Sequence, residues 1–307
     1  MLTLNQVSAL TEDQARETIE RIVWPNGPVC PHCHAVQNLT RLQGKAHRPG
    51  LFQCNNCHEQ FTVTVNTIFE DSHIPLRKWL MAFALLCSAK KGISALQLQR
   101  ELQFGSYRTA WHMAHRIRHA MSKEPLAGLL RGTVEVDETY VGGKPRPEAG
   151  APKAKRGRGT KKTPVVALVE RGGQVRARKV DRVDGATLKG AIRANVDRKA
   201  RIMTDEWAAY RGIGDEFEGG HEVVTHSAGE YARGDASTNT VESYFALLKR
   251  GVMGSFHHIS KQHLDRYCDE FSFRWNYRST TDSERTEVAI RQTTGKRLTY
   301  KQPRESR

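Results

Sequence analysis

No run of about 18 apolar residues occurs anywhere in the 307-residue chain, which excludes a membrane-spanning helix. The opening stretch MLTLNQVSALTEDQARETIE lacks the basic-then-apolar order of a secretory leader. A cytoplasmic, nucleoid-associated protein is therefore expected. Cysteine is scarce, and in that reducing compartment the six present are not expected to form disulfides. Acidic residues are outnumbered: 33 Asp+Glu against 48 Lys+Arg leave a formal charge of +15. Such an excess points to a polyanionic partner, nucleic acid before an anionic membrane surface. What is present is enough for a globular chain, with 38% apolar and 26% charged residues. No internal repeat is visible, and the length allows two domains plus a small module.

Composition divides the chain. Residues 1–24 read as a short helix in which Thr11 caps an acidic first turn. Residues 25–70 are turn-rich and hold four of the six cysteines. Residues 74–122 carry two long helical runs, with Pro75 near a start. From about 131 to 280, strand and helix patterns alternate as in a mixed α/β domain. Inside it, GGKPRPEAGAPKAKRGRGTKKTP (142–164) reads as a mobile basic loop, and residues 281–307 as a polar tail that packs poorly.

Cys30-Pro31-His32-Cys33 and Cys54-Asn55-Asn56-Cys57 are two C-x2-C knuckles separated by 20 residues, the spacing of a four-cysteine zinc site. Each knuckle can aim two thiolates at one tetrahedral Zn²⁺, and the alternating flanks LFQC and EQFTVTVNTIF suggest a ribbon. His32, His34 and His58 then read as neighbours, since four thiolates complete the site. Cys87 and Cys268 read as core residues.

Ser94 and Ser106 can each cap a helix, with the glycine-bearing turn Gln103-Phe104-Gly105 between them, as in a helix-turn-helix. Periodicity predicts a buried face of Tyr107, Ala110, Trp111, Ala114, Ile117 and Met121 on the second helix. Arg108, His112, His115, Arg116 and Arg118 are left on the outer face, where DNA would be met; Arg108 and Arg116 are the candidate contacts. A solvated basic hairpin is the plain alternative.

Three acids stand in unusual surroundings. Asp137 lies in the second half of a strand, TVEVDETYVGG; Asp205 ends the strand RIMTD; Glu242 opens the amphipathic helix NTVESYFALLKRG, capped by Asn239, Ser237 or Thr238. Between the strands, PVVALVERGGQVRARKV reads as a hairpin and ATLKGAIRANV as a helix. This order predicts three carboxylates gathered at one sheet edge. Crowded carboxylates repel unless a cation neutralises them, and hard oxygen ligands suit Mg²⁺ or Mn²⁺. Two such ions would activate a water or 3′-hydroxyl for in-line displacement at phosphorus. A lone acid at a strand end is more often a turn or capping group, so Glu135, Glu138 and Glu206 are read as flanking residues.

The combination VDETYVGGK, TDEWAAY and NTVESYFALLKRG, followed by HLDRYCDEFSFRWNYR, resembles the zinc-ribbon insertion-sequence transposases with an RNase H-like DDE catalytic domain. Together with the CPHC/CNNC ribbon, the resemblance covers nearly the whole chain. It implies catalytic, metal-binding roles for Asp137, Asp205 and Glu242, and a transposon-end DNA contact for Lys249. Related transposases use Asn as the third ligand, and Asn239 lies one turn before Glu242. Glu242 is favoured because an ionised carboxylate binds Mg²⁺ more strongly than an amide and is correctly placed relative to Lys249. The implied activity is binding of terminal inverted repeats, hydrolysis of phosphodiester bonds at the element ends and joining of the 3′-hydroxyl to target DNA, with no covalent protein–DNA intermediate. Synapsis of two ends implies a homo-oligomer. The competing expectations are a nuclease of the same fold and a non-enzymatic DNA-binding regulator.

Overall fold

The computed structural model describes residues 2–122, 128–143, 160–225, 232–233 and 236–301. They fall into two compact units, Met1–Ser122 with Arg278–Arg307, and Lys123–Tyr277.

The first unit begins with two helices rather than one. Thr3 and Thr11 each accept from the amide three residues on, and Gln6 and Gln14 return the bond, so two capping boxes start α1 (Leu4–Ser8) and α2 (Glu12–Val23). A three-stranded antiparallel ribbon follows: β1 (Leu39–Arg41), β2 (Phe52–Cys54) and β3 (Gln60–Phe61). β3 is shorter than its alternating sequence suggests. The hydroxyls of Thr62 and Thr64 bond each other at 2.7 Å, and Thr67 Oγ1 donates to Thr64 O at 2.7 Å, which turns the chain away from the ladder. Trp24, Phe52 and Phe61 pack edge-on and stacked beside the cysteines, with centroids 5.6–5.9 Å apart.

Helices α3 (Leu76–Ser88), α4 (Ala95–Glu101) and α5 (Tyr107–Met121) complete this part of the unit. Ser94 Oγ accepts from Gln97 N at 3.1 Å and Ser106 Oγ from Arg108 N at 3.2 Å, so both predicted serines cap. The buried face of α5 is wider than periodicity indicated. Ala110, Ala114, Ile117 and Met121 are buried as expected, but so are His115, Arg116 and Arg118, while Tyr107 is half exposed. Arg116 is therefore corrected from an outer-face residue to a fold residue. It is 6% exposed, its Nη2 donates to Glu70 O at 2.5 Å, and its guanidinium lies 5.2 Å from the Trp79 ring centroid. Burial pushes its pKa down to about 10. Arg108 remains exposed at the helix start.

The polar tail also packs better than predicted. α9 (Asp282–Arg291) starts on a capping box between Thr281 and Glu284, buries Ala289 and Ile290, and lies against α3. Its apolar stripe is narrow, which is why composition alone read it as tail.

The second unit is a five-stranded mixed sheet in the order β6-β5-β4-β7-β8: β4 (Thr133–Val141), β5 (Thr163–Glu170), β6 (Val175–Lys179), β7 (Arg201–Asp205) and β8 (His221–Val224). β4, β5 and β6 are antiparallel neighbours, whereas β7 runs parallel to β4 and β8 parallel to β7. With helices on both faces this is the expected RNase H-like arrangement. One face carries Val141, Val165, Ala167 and Val169 against α7 (Asn239–Gly251) and α8 (Leu264–Asn276). The other carries Val134, Val136, Val166 and Leu168 against α6 (Gly185–Asn195), which Asp184 caps. Beyond β7 the chain makes a 3-10 turn over Ala208–Tyr210 and later β8, a strand that the sequence patterns do not announce. Residues 144–159 of the expected basic loop lie outside the described residues, and its last positions, Thr163 and Pro164, already belong to β5.

Gly251 lets α7 approach α8, because a Cβ there would stand 2.1 Å from Phe271 Cζ. Gly251→Ala should destabilise the protein by about 1–3 kcal/mol through overpacking, measured as a lower urea midpoint at unchanged m-value.

Candidate active site and metal centre

Two clusters of like, ionisable groups stand out, one in each unit. In the ribbon, the Sγ atoms of Cys30, Cys33, Cys54 and Cys57 all lie within 4.8 Å of one another, with Cys30–Cys57 and Cys33–Cys54 at 3.6 Å. Tetrahedral Zn–S bonds of ~2.3 Å require S···S separations of ~3.8 Å, so the four sulfurs are nearly in place. The knuckles repeat one geometry: His34 N donates to Cys30 O at 2.9 Å and His58 N to Cys54 O at 2.8 Å. Both histidines take a left-handed conformation, φ 61° and 62°, directly after the knuckle. The main-chain amides of Cys57 and Asn56 draw the Cys54 thiol down to about 7. Cys57 is pushed up to about 12, because burial and the three neighbouring cysteines outweigh the amide of Glu59. Four thiols this close cannot all ionise without a cation, and the donor set fits Zn²⁺.

The second cluster is built by register. The parallel ladder pairs Glu135 with Met203, so two residues further on Asp137 and Asp205 stand level, on the same face of adjacent strands. That face is the one α7 covers, and α7 carries Glu242. β4 is the central strand, so Asp137 lies in its middle, level with Asp205 at the carboxyl end of β7, in mid-sheet rather than at a sheet edge as the order of elements suggested. Asp137 records the crowding: burial pushes its carboxyl up to about 7, and the charges of Glu138, Asp205 and Glu242 push the same way against one opposing bond from Glu138 N.

Local donors orient each acid. Glu138 N reaches Asp137 Oδ1 at 2.7 Å, Trp207 N reaches Asp205 Oδ1 at 3.1 Å, and Thr238 Oγ1 donates to Glu242 Oε1 at 3.3 Å. The carboxylates are looser than the thiols; among the described residues only the four cysteines bring three or more ligating atoms within 4.8 Å of one another. Hard oxygen donors crowded around a carboxyl that resists ionisation nevertheless suit a hard divalent cation. Val241, Tyr244, Phe245 and Leu248 are buried as the helical stripe predicted, while Glu242, Lys249 and Asn239 are exposed. Seven residues apart, Glu242 and Lys249 share a face of α7.

Sequence reasoning missed one of the residues that build this site. Glu135 is not a flank; it is fully buried and bonded to α7 and to Arg171. Glu138 points to the opposite face, where Tyr210 OH donates to its Oε2 at 3.1 Å. The available signal was alternation: Glu135 lies between Val134 and Val136 in a central strand and shares a face with Asp137, a place where an acid needs partners. Glu206 is exposed, as a flanking residue would be. The predicted cap of α7 is also corrected, for no side chain of its own N-terminal residues caps it.

An ISXO2-like transposase domain matches residues 129–276, which contain all three acids and Lys249. A transposase zinc-ribbon domain matches residues 10–60, which contain the four cysteines. An uncharacterized protein in transposable element ISH50 of Halobacterium salinarum is 30% identical over 277 residues, spanning 86% of this chain and 91% of its own. The chain belongs to the ISXO2-like transposase family. Among solved structures, the Mos1 strand transfer complex is 15% identical with TM-score 0.28, covering 77% of this chain and 78% of its own. The simian T-cell lymphotropic virus intasome is 16% identical with TM-score 0.28, covering 57% and 63%. Among the described residues of this family member, no helix is long and apolar enough to cross a membrane.

Because Asp137 binds its proton more tightly folded than unfolded, the metal-free protein should lose stability as pH rises from about 4 through about 7. Asp137→Asn removes that penalty. In chelator at pH 8 the variant should be more stable than the parent, by on the order of 4 kcal/mol, with the difference vanishing near pH 4; denaturant melts at both pH values check this. Cys30→Ser should abolish bound zinc by elemental analysis and lower the melting temperature of the ribbon.

Proposed function

We propose that this transposase-family chain is an active DNA transposase. It binds the terminal inverted repeats of its element, hydrolyses a phosphodiester at each end and transfers the freed 3′-hydroxyl to target DNA. The observation that supports this reading is that Asp137 and Asp205 stand level on adjacent strands, on the face covered by the helix that carries Glu242. Acids gathered this way, with Asp137 and Asp205 half-buried and Glu242 exposed, are costly to a fold and intelligible as a place prepared for cations.

Asp137, Asp205 and Glu242 would hold Mg²⁺ or Mn²⁺. When bound, such ions supply an activated attacking oxygen and stabilise the charge on the leaving oxygen at phosphorus. The chain's own residues do the rest. Amides of Glu138 and Trp207 and the hydroxyl of Thr238 fix the carboxylate orientations before substrate arrives. Lys249, on the Glu242 face of α7, meets a phosphate of the element end. In both cleavage and joining, an oxygen nucleophile forms the new P–O bond as the opposite P–O bond breaks, with no covalent link to the protein.

End recognition falls to the first unit. The zinc-held ribbon gives a rigid platform, and Arg108 stands exposed at the capped start of α5, where a second helix of this kind meets DNA. The formal charge of +15 supplies the sequence-independent share of binding through counterion release, which makes affinity fall steeply with salt. Working on two ends at once calls for two copies of the chain on nucleoid DNA.

The test is a strand-transfer assay in Mg²⁺ or Mn²⁺ on DNA bearing the native element ends. Joined product supports the proposal; cleavage without joining would make the protein a nuclease, and binding alone a regulator. Asp205→Asn should lower both steps by at least about 10²-fold while leaving DNA affinity within a few-fold of the parent.

A further inference from the structure

α7 carries Glu242 yet lacks a side-chain cap of its own, although Ser237, Thr238 and Asn239 are all capping residue types. Its first-turn donors go elsewhere. Glu135 Oε2 accepts from Thr240 N at 2.8 Å and from Val241 N at 2.9 Å, and Glu135 Oε1 accepts from Thr240 Oγ1 at 2.9 Å. This carboxylate is fully buried, on a strand more than 100 residues upstream. A local serine or threonine would have capped the helix equally well. Only a residue from the sheet can fix the helix to the sheet.

Glu135 is itself held. Arg171 Nε donates to its Oε1 at 2.6 Å, and Arg171 Nη2 donates to Ser237 O at 3.0 Å and Ser237 Oγ at 2.9 Å. Arg171 sits in the β5–β6 turn, where its amide donates to Thr133 O at 3.0 Å. Gly172 takes φ 71°, a left-handed conformation that lets the turn close here. One guanidinium thus ties Ser237, the residue ahead of the helix's N-cap position Thr238, to the carboxylate that receives the helix.

Resting on the transposase reading above, we propose that Glu135, clamped by Arg171, is the positioning residue of the acidic site. Its carboxylate sets the height and rotation of α7 on β4 and so places Glu242 opposite Asp137. The path is short and stiff. Glu135 and Asp137 are two residues apart on one face of one strand, about 7 Å along it. The amides it receives belong to the two residues directly before Glu242. Both oxygens are used, so charge, length and the two-oxygen fork are all required. A site of this kind tolerates about 0.5 Å of displacement, and 1 Å costs on the order of 10²-fold in rate.

The experiment compares Glu135→Asp, Glu135→Gln and Arg171→Lys in the full chain. Three readouts are taken: hydrogen exchange at Thr240 and Val241, Mn²⁺ affinity by calorimetry, and kcat and KM for end cleavage below each variant's melting temperature. We expect at least tenfold faster exchange at both amides, weaker Mn²⁺ binding, and kcat lowered about 10²-fold with KM for DNA within about twofold of the parent. Glu135→Asp keeps the charge but is too short to reach, so it should not rescue. Parent kcat and Mn²⁺ affinity in a variant whose only change is a lower melting temperature would overturn the proposal, as would unchanged exchange at the two amides. Arg171→Lys, at a residue less buried than Glu135, keeps the test available if the Glu135 variants fail to fold. Should the parent neither cleave DNA nor bind Mn²⁺, the transposase reading falls, and amide exchange alone decides whether Glu135 holds α7.

Discussion

Like charges brought close together in a poorly solvated place cannot all ionise, and this constraint shapes both units of the chain. In the ribbon it falls on four sulfurs, where one thiol is drawn down to about 7 and another pushed up to about 12. In the mixed sheet it falls on carboxylates, where Asp137 is held near 7. In each case ordinary secondary structure imposes the crowding: two repeated knuckles in one, two strands in parallel register and a helix in the other. A cation would relieve it in both. The chemistry suits different ions, since close soft thiolates fit a structural zinc, whereas looser carboxylates leave room for water and phosphate oxygens.

Much of this was legible in the sequence because it rests on short periods. The knuckle spacing, the serine caps of α4 and α5, the hairpin of β5 and β6 and the apolar stripe of α7 each depend on residues close to one another in sequence. Asp137, Asp205 and Glu242 stood out through their positions at strand and helix ends and through a family resemblance that the domain matches bear out.

What was not legible depends on distant partners. Arg116 looked like an outward residue because α5 was judged as a two-sided helix, but Trp79 and the carbonyl of Glu70 cover it. Glu135 looked like a flank because its ligands, the first amides of α7, lie more than 100 residues away. α9 looked like tail because its buried contacts with α3 are few in type and late in sequence. β8 escaped notice because HEVV is short and follows a glycine pair. In each case a charged or short segment gains its place from tertiary packing that local propensity cannot foresee.

The acids on β4, β7 and α7 should together form one divalent-cation site. The most direct measurement is an anomalous difference map from crystals of the full chain soaked in Mn²⁺. Density within coordination distance of both Asp137 and Asp205, with Glu242 turned toward it, is the predicted result. Mn²⁺ bound elsewhere, with these three carboxylates making no contact to it, would contradict the account.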